Sequence, residues 1–390
     1  MAIPTPTYEF RLPKAILTGP GCFGRLGEQA KALGVRKALI VTDPQLRQLP
    51  FVEQAAKNLA EAGIASEFFS DLEPEPLSPS VAAGLSAYKE LGCDALIAIG
   101  GGSSMDVAKA VGGLASNGGR ISDYEGANRF SKPTPPIIAV ATTAGSGSEV
   151  TRNAIITDVE RDVKMLIQSP YLIPSVAIVD PLLTLSLPPS VTMATGMDAL
   201  THGIEAYVSK RAQPLTDGLA LDAIRLVSGN LRQAWASGDN LSARANMSMA
   251  SLKAAMAFSN SSVALVHGMA RPIGAYFHVP HGLSNACILA TVIEFSLPGN
   301  PERYADIAEA MGENVEGLSV VEAADMAVEA VSRLAKDIGV PSLRGAGVDE
   351  ARLRELAPRM ASDAIASGSP GNNPRRASPQ EIVELYLKAL

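Results

Sequence analysis

The side chains best suited to hold a metal ion are concentrated in a short part of the sequence. Three of the four histidines occur in the segment HGMARPIGAYFHVPHG, which begins at His267, and the fourth is His202 in GMDALTHGIEAY. Neutral imidazole is the commonest metal-ligating side chain, so this concentration suggests a metal site. Asp198 precedes His202 by four residues, a spacing that places both side chains on one face of a helix.

One carboxylate and three imidazoles form a ligand set that divalent iron, zinc, cobalt or nickel can accept: Asp198, His202, His267 and His281. Each member alone could be a packed histidine or a helix-surface contact. The joint pattern favours a shared ion, because outside these two segments the chain contains no histidine. We leave out His278, which we interpret as a residue beside the site or on the surface.

Two loops rich in glycine and serine are candidates for binding a dinucleotide. The first is IGGGSSMDVAKA at 99–110, and the second is TTAGSGSE at 142–149. Glycine lets the backbone approach a pyrophosphate closely, and a following helix presents unpaired amides with a favourable dipole. Such loops at the carboxyl ends of strands form the nucleotide crevice of a doubly wound sheet. Asp43, which ends the first clear strand, could bind a ribose, and its charge favours NAD over NADP.

A third glycine-rich segment, GPGCFG at 19–24, also matches the dinucleotide fingerprint. Pro20 removes one amide that a phosphate would need, and the preceding apolar run is short. We therefore favour a structural turn at this position. The other two loops could also be flexible connections, but both follow the most apolar strands, where such a sheet binds its ligand.

Composition limits the class of protein. A chain of 390 residues predicts two domains. The net charge of -7, from 33 Lys+Arg against 40 Asp+Glu, argues against nucleic acid as a partner. Three widely spaced cysteines without a CxxC pair fit a reducing cytoplasm. We see no signal-peptide core and no apolar run approaching the roughly 18 residues that span a bilayer, so we expect a cytoplasmic protein that does not enter a membrane.

The elements that must position these residues fall into two halves. Before about residue 187, short apolar runs such as KALIVTD, ASEFF, DALIAIG and PIIAVAT alternate with helical stretches. Continuous apolar strands separated by helices predict a parallel, doubly wound sheet. After the Pro188-Pro189 pair, alanine- and leucine-rich stretches with helical spacing predict an all-helical half. We place an α/β dinucleotide-binding domain at 1–187 and a helical metal-binding and substrate domain at 188–390.

With the motifs DALTH, VHGMA, VPHG, GGGSSMD and TTAGSGSEVT, the sequence resembles the iron-containing (group III) alcohol dehydrogenase family over essentially its whole length. The resemblance implies a Rossmann-like domain, an all-α domain of the dehydroquinate synthase-like architecture, and a cleft between them for NAD(H) and one metal ion. It implies the same four ligands for Fe²⁺, with Zn²⁺ as the alternative, and a homodimer that forms through the N-terminal edge strand. The residues that it places in the cofactor site, together with Ser148 of the second loop, are Gly101, Gly102, Ser103, Asp106, Thr142, Thr143, Asn153 and Lys164.

Two positions depart from the family pattern. Family members frequently carry a second histidine four residues after the third ligand, and this chain has Arg271 there. Arginine cannot relay protons near neutral pH, so a proton-shuttle role does not carry over. In the PEP turn at 74–76, Glu75 stands where asparagine is often found, which weakens an expected contact on the adenine side.

This combination predicts an oxidoreductase that interconverts a small primary or secondary alcohol and its aldehyde or ketone with NAD(H). Arg271, one helical turn beyond His267, could bind an anionic group on the substrate or could pair with a local carboxylate. Arg152 and Phe258 are further candidates for substrate contact. The alternative is an NAD- and metal-dependent lyase or cyclase resembling dehydroquinate synthase. A metal hydrolase would leave the glycine-rich loops unexplained, and a storage protein would not need ligands from three separate segments.

Overall fold

The computed structural model describes residues 7–73, 75–161 and 163–390. Its amino-terminal part contains a six-stranded sheet in which every neighbouring pair is parallel. From one edge to the other the strands are β1 (Ala15–Thr18), β9 (Val176–Val179), β6 (Ile137–Ala141), β4 (Ala95–Gly100), β2 (Lys37–Val41) and β3 (Ala65–Phe69). The predicted parallel sheet is confirmed.

Helices cover both faces of this sheet, because successive residues of each buried strand point to opposite sides. Leu39 packs with the helices α3 (Ser78–Glu90) and α4 (Gly102–Asn117), whereas its neighbour Ile40 packs with α1 (Leu26–Ala32) and α2 (Pro50–Glu61). The central strand β4 is buried along its entire length. The doubly wound architecture predicted from its continuous apolar run is therefore confirmed.

A second, three-stranded sheet lies beside the first. Its order is β5 (Gly126–Ala127), β8 (Val163–Gln168) and β7 (Asn153–Asp158), and β7 and β8 are antiparallel. The sequence analysis did not predict β8. Its residues VKMLIQ include Lys, Met, Leu and Gln, which favour a helix as much as a strand, so the alternating burial of this strand is weakly encoded.

The carboxyl-terminal part is helical, as predicted. The last short helical turn of the first part is Pro181–Thr184, and the boundary that we place near residue 187 remains a prediction. The helices are α5 (Pro189–Val208), α6 (Pro214–Ala236), α7 (Leu241–Asn260), α8 (Leu265–Phe277), α9 (His281–Ser296), α10 (Pro301–Ala310), α11 (Val320–Asp337), α12 (Glu350–Ala366) and α13 (Pro379–Lys388).

One of these helices corrects an expectation from the sequence. The stretch His281–Gly299, which contains α9, is 19 residues long and apolar enough to span a membrane by length and composition. The expectation that the chain holds no such stretch was wrong. Half of the stretch is buried inside the protein, where α9 packs against α5, α8 and α11, and an apolar helix is common in a helical core.

The second glycine-rich loop connects the two parts of the molecule. A Cβ atom added to Gly145 would lie 2.6 Å from Cβ of Thr195 on α5, and one added to Gly147 would lie 2.0 Å from Cβ of Ala255 on α7. Gly147 also has a φ of 61°, which side-chain-bearing residues rarely adopt. The loop backbone therefore packs directly against two helices of the carboxyl-terminal part.

Replacing Gly147 with alanine should lower the free energy of unfolding by at least about 2 kcal/mol, since the left-handed conformation and the overlap with Ala255 both add cost. The matched control is Gly218→Ala in α6, where the glycine is exposed and an added Cβ meets nothing within 4 Å. That change should stabilise the protein by about 0.5–1 kcal/mol. Urea unfolding measures both, and equal stability of Gly147→Ala and the parent would contradict the tight packing of the loop.

Candidate metal and cofactor site

Three predicted ligands, His202, His267 and His281, surround the fourth, Asp198, in the carboxyl-terminal part. From Oδ1 of Asp198, the distances are 3.6 Å to Nε2 of His267, 3.8 Å to Nε2 of His281 and 4.0 Å to Nε2 of His202. Two atoms that bind one cation at about 2.0–2.2 Å cannot be more than about 4.4 Å apart. Each of the three distances meets this limit, and the ligand atoms of Asp198, His267 and His281 lie within 4.8 Å of one another.

Three helices bring these side chains together. Asp198 and His202 lie one turn apart on α5, His267 lies in the first turn of α8, and His281 is the first residue of α9. Gly282 allows the start of α9 to approach α5 closely, because a Cβ at that position would lie 2.5 Å from the carbonyl oxygen of Ala194. This close packing places His281 beside Asp198.

The cluster is buried on one side and open on the other. Asp198, His202 and His267 are at most 4% exposed, whereas 42% of the His281 side chain is exposed. The ring of His202 stacks on His267 with 4.5 Å between centroids and, at 4.1 Å, on Phe258. Phe258, a predicted substrate contact, therefore packs against a predicted ligand. His278 is exposed at the end of α8, outside the cluster.

The electrostatics of the cluster favour the protonation states that bind a cation. Burial by itself raises the pKa of Asp198, but the histidines around it, led by His202, reverse this effect and hold that pKa well below its usual range. Burial lowers the pKa of His202 to about 4. The carboxylate is therefore ionised and this imidazole neutral at physiological pH, as a metal ligand requires.

Glu205 fixes the orientation of His267, although the sequence analysis did not identify it. Its carboxylate, which is 2% exposed, lies 2.6 Å from Nδ1 of His267 and accepts a hydrogen bond from the backbone amide of Val266 at 2.5 Å. Burial lowers the pKa of His267, but hydrogen bonds to Asp198 and Glu205 outweigh it and raise the value to about 9, so without a cation the ring carries a proton on both nitrogens. A cation bound at Nε2 would displace the proton there, and Nδ1 would keep its proton facing Glu205. The position of Glu205, three residues after His202 on α5, was the available signal.

Asn285 is the second residue that the sequence analysis missed, four residues after His281 on α9. It is completely buried, and its Nδ2 lies 2.7 Å from Oδ1 of Asp198, 3.2 Å from Nε2 of His267 and 3.3 Å from Nε2 of His281. One amide nitrogen thus lies within 3.3 Å of one oxygen and two ring nitrogens of the predicted ligand set. Carboxylate oxygen and imidazole nitrogen are both atoms that one divalent cation accepts, so the residues present fit a metal ion.

The two predicted phosphate-binding loops lie against each other. A Cβ on Gly101 would lie 3.5 Å from the side chain of Thr143, and one on Gly102 would lie 3.4 Å from Cβ of Ser146. Gly102 begins α4, Ser103 lies in its first turn, and no side chain caps the start of the helix. The structure therefore brings the first amides of α4 next to the second loop, an arrangement that suits a pyrophosphate.

Asp106 and Ser148, both predicted in the cofactor site, bind each other. The hydroxyl of Ser148 donates to Oδ1 of Asp106 at 2.7 Å, and Oδ2 of Asp106 accepts from the amide of Ile155 at 2.9 Å. Lys109, which was not predicted, is completely buried and donates from Nζ to the Ser148 hydroxyl at 2.7 Å and to the carbonyl oxygen of Asn153 at 2.9 Å. These contacts join α4 to the second loop and β7. That Asp106 and Ser148 also contact the cofactor directly remains a prediction.

The remaining predicted cofactor residues lie at the carboxyl edge of the main sheet or on the second sheet. The amide of Thr142 donates to the carbonyl oxygen of Gly100 at 3.1 Å. Oδ1 of Asp43 accepts hydrogen bonds from the amides of Gln45 and Leu46, each at 2.9 Å. On the second sheet, Oδ1 of Asn153 accepts from Gln168, and Lys164 forms an ion pair with Glu75.

By contrast, the amide of Phe23 in GPGCFG donates to Asp180, a bond that suits a structural turn.

The two arginines proposed as substrate contacts lie in different places. Arg271 is in α8, and its Nε is buried without a hydrogen-bond partner among the described residues. Burial lowers the pKa of Arg271 and the nearby Glu205 raises it, so this guanidinium lies in the field of the acid that holds His267. Arg152 instead lines a separate cavity with Arg11 and Arg211, and the lining includes none of the four predicted ligands.

The substitution Glu205→Gln should weaken binding of Zn²⁺ to the metal-free protein by about tenfold to a hundredfold, because residues that orient a ligating histidine have effects of this size. Competition with a chromophoric chelator measures the affinity. The matched control is Glu294→Gln in α9, an exposed residue that pairs with Lys388 at the surface and should leave the affinity unchanged. Equal affinities of Glu205→Gln and the parent would show that the carboxylate does not support the site.

Comparisons with known proteins identify the family of the chain. Residues 13–181 match the family model of iron-containing alcohol dehydrogenase, and residues 192–390 match that of the Fe-containing alcohol dehydrogenase family, C-terminal. The chain is 45% identical over 385 residues to the 1,3-propanediol dehydrogenase of Citrobacter freundii, which covers 98% of both chains. It is 43% identical to the NAD-dependent methanol dehydrogenase of Bacillus methanolicus, over 98% of this chain and 100% of that one.

A solved structure gives the same result. The crystal structure of a 1,3-propanediol oxidoreductase superposes with a TM-score of 0.96 at 44% identity, covering 99% of this chain and 100% of the other. The family predicted from the motifs is confirmed over both parts of the molecule. The chain belongs to the iron-containing alcohol dehydrogenase family, whose members are oxidoreductases.

Proposed function

We propose that this protein reduces a small aldehyde or ketone, or oxidises the corresponding alcohol, with NAD(H) and one divalent ion bound by Asp198, His202, His267 and His281. The observation that carries the proposal is the convergence of one carboxylate and three imidazoles at a point that is open on the His281 side. The second glycine-rich loop supports it, because Gly145 packs on Thr195, one helical turn before Asp198. Cofactor and ion would therefore share one cleft.

When bound, the cation would supply Lewis acidity toward the alcohol or carbonyl oxygen, and the nicotinamide would supply or accept the hydride. The residues of the chain would orient these groups. Glu205 holds His267 with its Nε2 facing Oδ1 of Asp198, and Phe258 covers one face of His202 and keeps water from that side. The exposed ring of His281 leaves one side of the cluster accessible to a small substrate.

Fe²⁺ is the ion that we propose, with Zn²⁺ as the alternative. The carboxylate and imidazole ligands suit both ions, and affinity order alone does not select between them. The cofactor that we propose is NAD(H) rather than NADP(H), because the carboxylate of Asp43 would repel a 2′-phosphate. Two of its lone pairs already accept the amides of Gln45 and Leu46, which fixes the carboxylate at the end of β2.

The lyase or cyclase alternative has less support. Both family models that match the chain are those of iron-containing alcohol dehydrogenases, and the two relatives are named as dehydrogenases. The ligand set of one carboxylate and three imidazoles is also the one predicted for the dehydrogenase. A cyclase would regenerate its NAD in each turnover, whereas the proposed reaction consumes one NADH for each aldehyde reduced.

We also propose a cytoplasmic homodimer that pairs through β1, which lies at the edge of the main sheet.

We further propose that the substrate carries an anionic group that Arg271 recognises. The Nε of Arg271 is buried and lacks a hydrogen-bond partner, and leaving such a donor unpaired costs free energy. No ion pair joins Arg271 to a carboxylate among the residues that the structure describes. Burial lowers the pKa of Arg271, and the charge of the nearby Glu205 opposes this effect. A planar guanidinium one turn from His267 suits two-point binding of a carboxylate, sulfonate or phosphonate.

Removing the metal should abolish reduction of a short aldehyde by NADH, with a loss of more than about a hundredfold, because no side chain of the cluster replaces a Lewis acid. Activity and metal content are measured together on chelator-treated protein, before and after anaerobic addition of Fe²⁺ or of Zn²⁺. Circular dichroism controls for unfolding. Turnover that persists after the metal content has fallen to zero would exclude the proposed mechanism, and NADH that is not consumed in a one-to-one ratio with aldehyde would favour the cyclase.

Substitution of Arg271 with alanine tests the anionic substrate. It should reduce kcat/KM for succinic semialdehyde by about tenfold to a hundredfold, the size expected for a lost charge-assisted pair, and for butyraldehyde by less than about threefold. Arg129→Ala, at an exposed position, is the control and should change neither value. Equal losses on the acidic and the neutral aldehyde would instead assign Arg271 to neutralising Glu205.

A further inference from the structure

A cavity of about 290 Å³ lies away from the proposed active site. It is bounded by the start of the described chain, the residues before β7, the start of α6 and the end of α7. Its lining includes three arginines, Arg11, Arg152 and Arg211, and five neutral polar residues, Thr7, Tyr8, Gln213, Asn260 and Ser261. No predicted metal ligand and no residue of the two glycine-rich loops belongs to this lining.

The charge in this cavity is not balanced by the protein. The lining contains three arginines and one acidic residue, Glu9, which gives 3 − 1 = +2 in a chain whose net charge is -7. Glu9 pairs with Arg11. Among the described residues, neither Arg152 nor Arg211 has a carboxylate partner, and Nε of Arg152 is buried without any hydrogen-bond partner. Burial, followed by the charge of Arg211, lowers the pKa of Arg152, so the two guanidinium groups repel each other.

Hydrogen bonds hold the walls of the cavity in place. Asn260 accepts from the amide of Arg11 at 2.6 Å and donates to its carbonyl oxygen at 3.0 Å. Gln213, at the start of α6, donates to the carbonyl oxygen of Asn260 at 2.7 Å and to that of Glu9 at 3.2 Å. These bonds tie the start of the described chain to α6 and α7, so the walls of the cavity are held in place before a ligand binds.

We propose that this cavity binds a phosphate group, free or as a monoester, between Arg152 and Arg211. Guanidinium groups match phosphate oxygens in two-point hydrogen bonds, and a phosphate near neutral pH carries a charge of about -1.5 to -2, which balances the lining. The ligand supplies acceptors to the unpaired Nε of Arg152 and separates two like charges. The site is distinct from the dinucleotide crevice and does not depend on the proposed reaction.

The test is a calorimetric titration of the full-length protein at constant ionic strength, with inorganic phosphate and with methyl phosphate as the two probes. Saturating NAD⁺ is present so that phosphate cannot bind in the crevice formed by the glycine-rich loops. We expect saturable binding of one phosphate group per chain. Tighter binding of methyl phosphate identifies a phosphate ester as the ligand, and equal or weaker binding identifies free phosphate.

Arg152→Met and Arg211→Met should each weaken this binding by about tenfold or more, because each removes a charge-assisted hydrogen-bonding group. Arg129→Met, an exposed arginine without an ion pair among the described residues, should bind as the parent does. Arg211 is exposed, so its substitution keeps the test valid if Arg152→Met fails to fold, and thermal melting monitors folding of both. No saturable binding of either probe, or parental affinity in both variants, would overturn the proposal.

Discussion

The carboxylate of Asp198 is the group on which the rest of the site depends. A buried carboxylate is costly unless opposite charge or hydrogen bonds compensate it. Here the compensation comes from the amide of Asn285, which donates to Oδ1, and from His267, whose pKa is raised to about 9. The rings of His202 and His281 face the same oxygen, so three helices meet at this carboxylate. Helices α5, α8 and α9 must therefore keep their relative positions, and the close contact at Gly282 shows how little space separates two of them.

A second buried carboxylate extends this network away from the ion. Glu205 binds His267 and the start of α8, so the acid orients both a ligand and the helix that carries it. Arg271 lies in the field of the same acid. It occupies the position at which the family resemblance predicts a histidine in many members. A permanent cation there cannot exchange protons, but it can attract an anion to the cleft. One substitution thus changes the chemistry beside the ion without changing the ligands.

The second glycine-rich loop packs the amino-terminal part of the molecule against the carboxyl-terminal part. Gly145 and Gly147 allow the backbone after β6 to lie directly on α5 and α7, while Asp106, Lys109 and Ser148 fasten the same loop to α4. Small residues in this loop therefore serve two purposes at once. They allow close contact with α5 and α7 on one side, and on the other side the loop lies against the start of α4, where a pyrophosphate is predicted to bind.

The sequence by itself determined the parallel sheet, the helical second half and the four converging side chains, because apolar periodicity and a rare residue type are local signals that survive in one dimension. It did not reveal β8, whose composition suits two conformations. Nor did it reveal Glu205, Asn285 and Lys109. Their side chains act across distances of many residues, so only the packing of α4, α5, α8 and α9 decides what they touch. The separate cavity around Arg152 has the same origin, because its charges come from three distant segments that only the folded chain brings together.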